Sequence, residues 1–196
     1  MYSSPIKNLI SAFTKLPSVG ERTAERFVFY LLKSGKKEVA ELTLALKQLF
    51  IEVTSCKNCW DFADTTPCAI CADKKRDNNI ICVVAEPQDL QVLEKTNAFN
   101  GVYHVLRGVI KSSENNLGEL KIKELLERAK NKDLREIILA LNPNLEGETT
   151  AMALEKLIKE KNPQIKISRL ARGLPMGGDL QYADEITLSN ALKHRN

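Results

Sequence analysis

"REIILALNPNLEGETTAMALEKL", residues 135–157, decides the fold. Ile137 to Leu141 form an apolar run that reads as a buried strand. The run stops at Asn142-Pro143-Asn144, and a helix-like stretch begins a few residues later. A strand, a sharp turn and a helix in so short a span are the building unit of an α/β sheet. Ligand and catalytic groups of open α/β sheets gather at the carboxyl ends of strands. Glu146 and Glu148, just past the turn, therefore raise the question of a site.

The same unit recurs on both sides. Apolar strands are expected at 80–85, 102–106, 136–141 and 165–171, with amphipathic helices at about 88–97, 119–130 and 148–161. Alternation at this spacing argues for a largely parallel sheet with helices on its faces. Residues 3–15, 21–34 and 38–53 read as helices, the first two joined by the turn "LPSVG" (16–20). A glycine-bearing loop and a last helix, about 183–194, close the chain. The expectation is a multidomain α/β protein divided into 1–53, 54–77, 78–172 and 173–196.

Apolar residues make up 43% of the 196 and charged residues 28%, the balance of a soluble globular chain. No stretch approaches the roughly 18 apolar residues of a membrane span, and "MYSSPIKNLISAF" does not read as a signal peptide. A cytoplasmic protein is expected. Residues 1–37 hold Lys7, Lys15, Arg22, Arg26, Lys33, Lys36 and Lys37 against Glu21 and Glu25, a surplus of five where the whole chain has +4. Basic charge concentrated at one end points to an anionic partner there. A solvated lysine face is the plainer alternative.

"CKNCWDFADTTPCAIC" (56–71) is the sharpest local signal. Cys56, Cys59, Cys68 and Cys71 form two C-x-x-C pairs eight residues apart. Two such knuckles complete a tetrahedron of thiolates with no position left for water, the mark of a structural zinc site. A disulfide framework or a redox dithiol fits less well: the chain looks cytosolic, and no strand runs directly into either pair. Cys82 lies inside an apolar strand and reads as a buried thiol.

On a helical wheel Arg22 and Arg26 lie about 40° apart. Ala24, Phe27, Val28 and Leu31 gather on the other side. Both arginines thus face outward beside a helix N-terminus, and helix N-termini and arginines both favour phosphate. This arrangement resembles a helix-hairpin-helix, a module that holds the nucleic-acid backbone without reading bases. A packed hairpin without a ligand is the alternative.

"LPSVGERTAERFVFYLL", the C-x2-C-x8-C-x2-C set, "IICVVAEPQDLQVLE", "GVYHVLRGVI", "ILALNPNLEGETTAMAL" and "SRLARGLPMGGDLQYADEITLSNAL" follow one another in the order seen in the bacterial RecR family of recombination mediators, which the chain resembles from about residue 6 to 193. The resemblance implies a helix-hairpin-helix region, a four-cysteine zinc finger with one structural Zn²⁺ per chain, a Toprim domain and a C-terminal Walker-B-like segment with a helix. It implies a role in recombinational repair of DNA, with RecO and in many bacteria RecF, helping RecA onto single-stranded DNA covered by single-strand-binding protein. It also implies assembly as a homodimer or a homotetrameric, clamp-like ring on single- or double-stranded DNA. By position, it places DNA contacts on Arg22 and Arg26, zinc ligation on the four cysteines, the Toprim glutamate on Glu86 and a second acidic cluster on Glu146 and Glu148.

The chain departs from the family pattern in three places. Ser18 stands where the family hairpin has a glycine, a strain of about a kcal/mol or more if that position needs a positive φ. The loop "KSSENNLGEL" (111–120) lacks the usual Ser-Pro and Asp-Gly. Catalytic Toprim domains hold Mg²⁺ with a glutamate and an Asp-x-Asp pair; here Glu86 and Asp89 are present, but the pair reads Asn142-Pro143-Asn144. Tyr30, Tyr103 and Tyr182 read as packing residues rather than nucleophiles, and no phosphate-binding G-x-x-x-x-G-K-[ST] loop occurs. The expectation is a non-enzymatic DNA-binding mediator whose acidic residues Glu86, Asp89, Glu146 and Glu148 dock a partner. The rival is a Mg²⁺-dependent nuclease, primase or topoisomerase-like enzyme; a zinc-bearing scaffold that binds only proteins is a third possibility.

Overall fold

The computed structural model describes residues 2–111, 116–171, 173–174, 176–177 and 179–193. The chain forms two compact units that divide between Val53 and Thr54.

The first unit is helical: α1 (Ser4–Phe13), α2 (Glu21–Ser34) and α3 (Lys36–Glu52). Pro5 lies in the first turn of α1, where a missing N–H costs nothing. Gly35, at φ 96, separates α2 from α3, a backbone state that disfavours any residue with a Cβ. Ile10 of α1 packs against Ala24 and Val28 of α2, with Ile6, Phe13 and Val19 around them. The alanine and valine of the expected apolar side are buried; Phe27 is exposed instead, its ring edge-on to Phe13 at 5.7 Å.

The second unit begins with a two-stranded antiparallel ribbon, β1 (Thr54–Ser55) and β2 (Phe62–Ala63), and a short helix α4 (Ala69–Ala72). The main sheet follows: β3 (Asp77–Val84), α5 (Pro87–Lys95), β4 (Gly101–Val105), α6 (Ile122–Ala129), β5 (Glu136–Ala140), α7 (Leu145–Lys161) and β6 (Lys166–Arg169). The sheet has the order β4-β3-β5-β6 and is parallel throughout. Its register sets Cys82 beside Tyr103 on one side and Ile138 on the other.

Alternation along the strands sorts the core into two faces. Ile81, Val83, Ile137 and Leu139 meet α6 and α7 through Leu125, Ala151, Leu154 and Ile158. Cys82, Val84, Tyr103 and Val105 meet α5 through Leu90. The chain leaves β3 toward β4 and leaves β5 toward β6, in opposite directions, so the carboxyl ends of β3 and β5 form the switch point of the sheet. A 3₁₀ turn (Leu180–Tyr182) and α8 (Glu185–Lys193) complete the chain, with Asp184 capping α8 through the Thr187 N–H at 2.9 Å.

Strand and helix positions agree with the sequence reading to within a few residues. Two packing assignments are corrected. Tyr103 is buried, but Tyr30 and Tyr182 are 65% and 81% exposed. Tyr30 lies on the outer side of α2, whose inner side is filled by Ala24 and Val28, and Tyr182 lies on a 3₁₀ turn with no buried residue. Residues 112–115 of the 111–120 loop, and Gly178 of the glycine-bearing loop, lie outside the described residues.

Candidate metal centre and nucleic-acid interface

The four cysteines converge as their spacing requires. The Sγ atoms of Cys56, Cys59, Cys68 and Cys71 all lie within 4.8 Å of one another, and Cys59 and Cys68 are 3.6 Å apart. A zinc tetrathiolate has sulfur edges of about 3.8 Å, so the set fits a tetrahedral ion. Backbone N–H groups prepare the sulfurs for charge: the Cys68 amide donates to Cys56 Sγ at 3.3 Å and the Cys71 amide to Cys68 Sγ at 3.5 Å. Burial raises the Cys56 thiol, but the N–H groups of Cys59, Cys68 and Asn58 outweigh it and bring it down to about 6. The Cys71 thiol and burial push Cys59 up, and burial pushes Cys68 up to about 11. Thiols held this close do not all ionise without a cation among them, which is the chemistry of a closed structural site. Cys82 is apart from this set, buried in β3, where burial pushes its thiol up to about 12.

The acidic residues sit at the switch point. Glu86 follows β3 and forms a capping box with Asp89 at the start of α5, the Glu86 amide donating to Asp89 Oδ2 at 3.0 Å. Burial, and then the Asp89 carboxylate, raise the Glu86 carboxyl above its ordinary value, with Arg107 opposing them. Glu146 and Glu148 lie in the first turn of α7, Glu146 exposed. Asp89, Asn142, Pro143, Glu148 and Arg169 line one largely apolar cavity of about 300 Å³ with Leu93 and Leu139.

Two side chains at this strand end have local partners. Asn144 is the N-cap of α7. Glu148 is paired with Arg169 of β6 at 2.9 Å, and Arg169 also reaches Glu155 at 3.3 Å. Arg169 was not singled out from the sequence; nothing in its local spacing marks it, because its partners lie on α7. Gly147 is forced by close approach: a Cβ there would run into the carbonyl oxygen of Asn142.

In the first unit Arg22 and Arg26 are both exposed on α2, as the wheel requires, while Ala24 and Val28 face inward. Gly20 is the N-cap and brings no side-chain acceptor to the first-turn amides. The turn before it holds Ser18 at φ 63, the positive value that a glycine would take without strain.

A basic helical hairpin, a four-thiolate knuckle and a parallel sheet with acids at its switch point are matched by family models along the chain. They are RecR, helix-hairpin-helix, over residues 6–50; the RecR four-cysteine zinc finger domain, over 53–73; Toprim domain, over 79–171; and RecR, C-terminal, over 173–196. The fold and site therefore define a zinc-finger Toprim protein with a helix-hairpin-helix module. The chain is 46% identical to the Recombination protein RecR of Bifidobacterium adolescentis over 195 residues, 99% of this chain and 96% of that protein. It belongs to the RecR family, and its four cysteines are the ligands of one structural zinc. No helix among the described residues is long and apolar enough to cross a membrane.

Proposed function

We propose that the protein is a mediator of recombinational DNA repair. It binds single- and double-stranded DNA without reading sequence, through Arg22 and Arg26. It works with RecO and RecF to load RecA onto single-stranded DNA covered by single-strand-binding protein, in the cytoplasm at the nucleoid. The observation that carries this reading is the near full-length likeness to a relative named as a recombination protein. The outward pair of arginines beside an uncapped helix start supports the choice of the hairpin as the phosphate-binding element.

In this reading the chain works as a homodimer or a homotetrameric ring. Val39, Leu42, Leu46, Leu49 and Phe50 recur at three- and four-residue spacing on α3 and are all exposed. Leu180, Tyr182 and Ile186 of the tail are exposed as well. A closed assembly with two kinds of contact needs two such faces, and apolar stripes of this length seldom stay in water. A ring would multiply the hairpin's modest charge and raise affinity without a new type of contact.

The Toprim domain serves as a docking surface, not as an enzyme. Amides stand in place of the two aspartates, one amide is spent on a helix cap, and Glu148 shares an arginine. Glu86, Asp89 and Glu146 then present negative charge to a partner, with Glu148 on the same rim.

The test is DNA binding by the full chain at low and moderate salt. Binding is expected to weaken steeply as salt rises and to be lost in the Arg22→Glu/Arg26→Glu variant. Undiminished binding by that variant would remove the hairpin from the interface.

A further inference from the structure

The zinc module and the parallel sheet are joined at one edge. β4 is an outer strand of the sheet. Its last residue, Val105, donates its backbone N–H to the carbonyl of Cys59 at 2.7 Å. The first zinc knuckle therefore takes the place of a further strand over part of that edge. Arg107, two residues on, donates to the Trp60 carbonyl at 2.8 Å and to Ser55 Oγ at 2.9 Å, and lies 3.7 Å over the Phe62 ring. Lys121 Nζ lies 4.3 Å over the Trp60 ring.

Arg128, near the end of α6, occupies the centre of this junction. Its Nη1 lies 2.7 Å from the carbonyl oxygen of Tyr103 on β4, 3.1 Å from that of Asn58 between the first two cysteines, and 3.3 Å from His104 Nδ1. His104 is fully buried, and its Nε2 lies 2.7 Å from the Lys121 carbonyl. A carbonyl only accepts, so Nε2 carries the proton and Nδ1 offers its lone pair to Arg128. One guanidinium thus holds the zinc knuckle, β4 and a buried imidazole together. It shares a cavity of about 420 Å³ with Cys71.

Electrostatics gives a reason for an arginine at this point. Zn²⁺ with four thiolates retains a double negative charge, which is costly beside a sheet unless a cation faces it. Burial works against the charge of Arg128, and the thiolates of Cys71, Cys59 and Cys56 work for it.

We propose that Arg128 is the counter-cation of the zinc–thiolate centre and the strut through which metal occupancy orders the β4 edge of the Toprim sheet. Removal of zinc takes away the geometry that places the Asn58 and Cys59 carbonyls, and β4 then loses partners on its outer side. Removal of Arg128 leaves the thiolate set with its excess charge uncompensated.

Three measurements on the full chain test this. Zinc affinity, by competition with a chromophoric chelator, is expected to fall about 10–100-fold in Arg128→Met and to recover for the most part in Arg128→Lys, which restores the charge. In the cobalt-substituted protein, the thiolate-to-metal charge-transfer band is expected to move to lower energy in Arg128→Met, because a nearby cation stabilises the sulfur lone pairs. In the unaltered chain, chelation of zinc is expected to speed amide exchange at Val105 and along β4. Wild-type zinc affinity in Arg128→Met, or no recovery in Arg128→Lys, would overturn the counter-cation role. Should Arg128→Met fail to fold, exchange in the unaltered chain still decides the strut: unchanged protection of β4 on zinc removal would overturn it.

Discussion

The side-chain oxygen of Asn144 accepts the backbone N–H of Gly147 at 2.8 Å, closing the first turn of α7. The Asn144 side-chain amide is thereby committed to helix capping. Asn144→Ala should lower stability by about 0.5–2 kcal/mol, while Asn144→Asp, an equally good cap, should leave it nearly unchanged. Urea unfolding midpoints of the two variants check this. No loss in Asn144→Ala would show that the cap contributes nothing.

Ser18 at φ 63 strains the hairpin turn. A left-handed L-residue costs about 1–2 kcal/mol, and the extra freedom of an unfolded glycine costs about 0.5–1. Ser18→Gly should therefore stabilise the first unit by up to about 1.5 kcal/mol. Thermal melting compares the two chains; a lower melting temperature in the variant would contradict the strain.

Burial, and then the charge of Arg128, bring the His104 imidazole down from 6.5 to about 3, with the Lys121 carbonyl opposing them. Below pH 6.5 the unfolded chain takes up a proton that the folded chain refuses. Stability from this group is then complete above pH 6.5 and is lost progressively as the pH falls toward 3, by up to about 1.4 kcal/mol per pH unit. His104→Gln should be less stable at neutral pH but lose less on acidification. Urea unfolding at several pH values with zinc saturating reads the difference; parallel acid limbs in the two chains would refute it.

The acidic switch point is expected to be catalytically silent. A Mg²⁺-dependent assay of DNA cleavage and relaxation should show no turnover, because the Asp-x-Asp pair reads Asn142-Pro143-Asn144. Turnover abolished by Glu86→Gln would establish the enzyme instead.

The legible parts of this protein are those whose partners lie close in sequence. The zinc ligands were readable because two C-x-x-C knuckles bring all the donors within 16 residues. The outward pair Arg22 and Arg26 followed from one helix wheel, and the strands followed from short apolar runs between turn residues. Misreadings fall where burial depends on a neighbour. Tyr30 and Phe27 lie on a helix that is apolar well beyond the narrow stripe its partner covers.

The amino-acid sequence by itself determined the elements, the thiolate set and the two asparagines at the strand end, since each is a local matter of periodicity, spacing or residue type. Only the tertiary structure decided the sheet order β4-β3-β5-β6, the pairing of Glu148 with Arg169, and the meeting of Arg128 with Asn58 across 70 residues. Those relationships depend on which strands lie side by side. Many long-range contacts, each weak alone, choose that order together, and no residue carries it in its immediate neighbours.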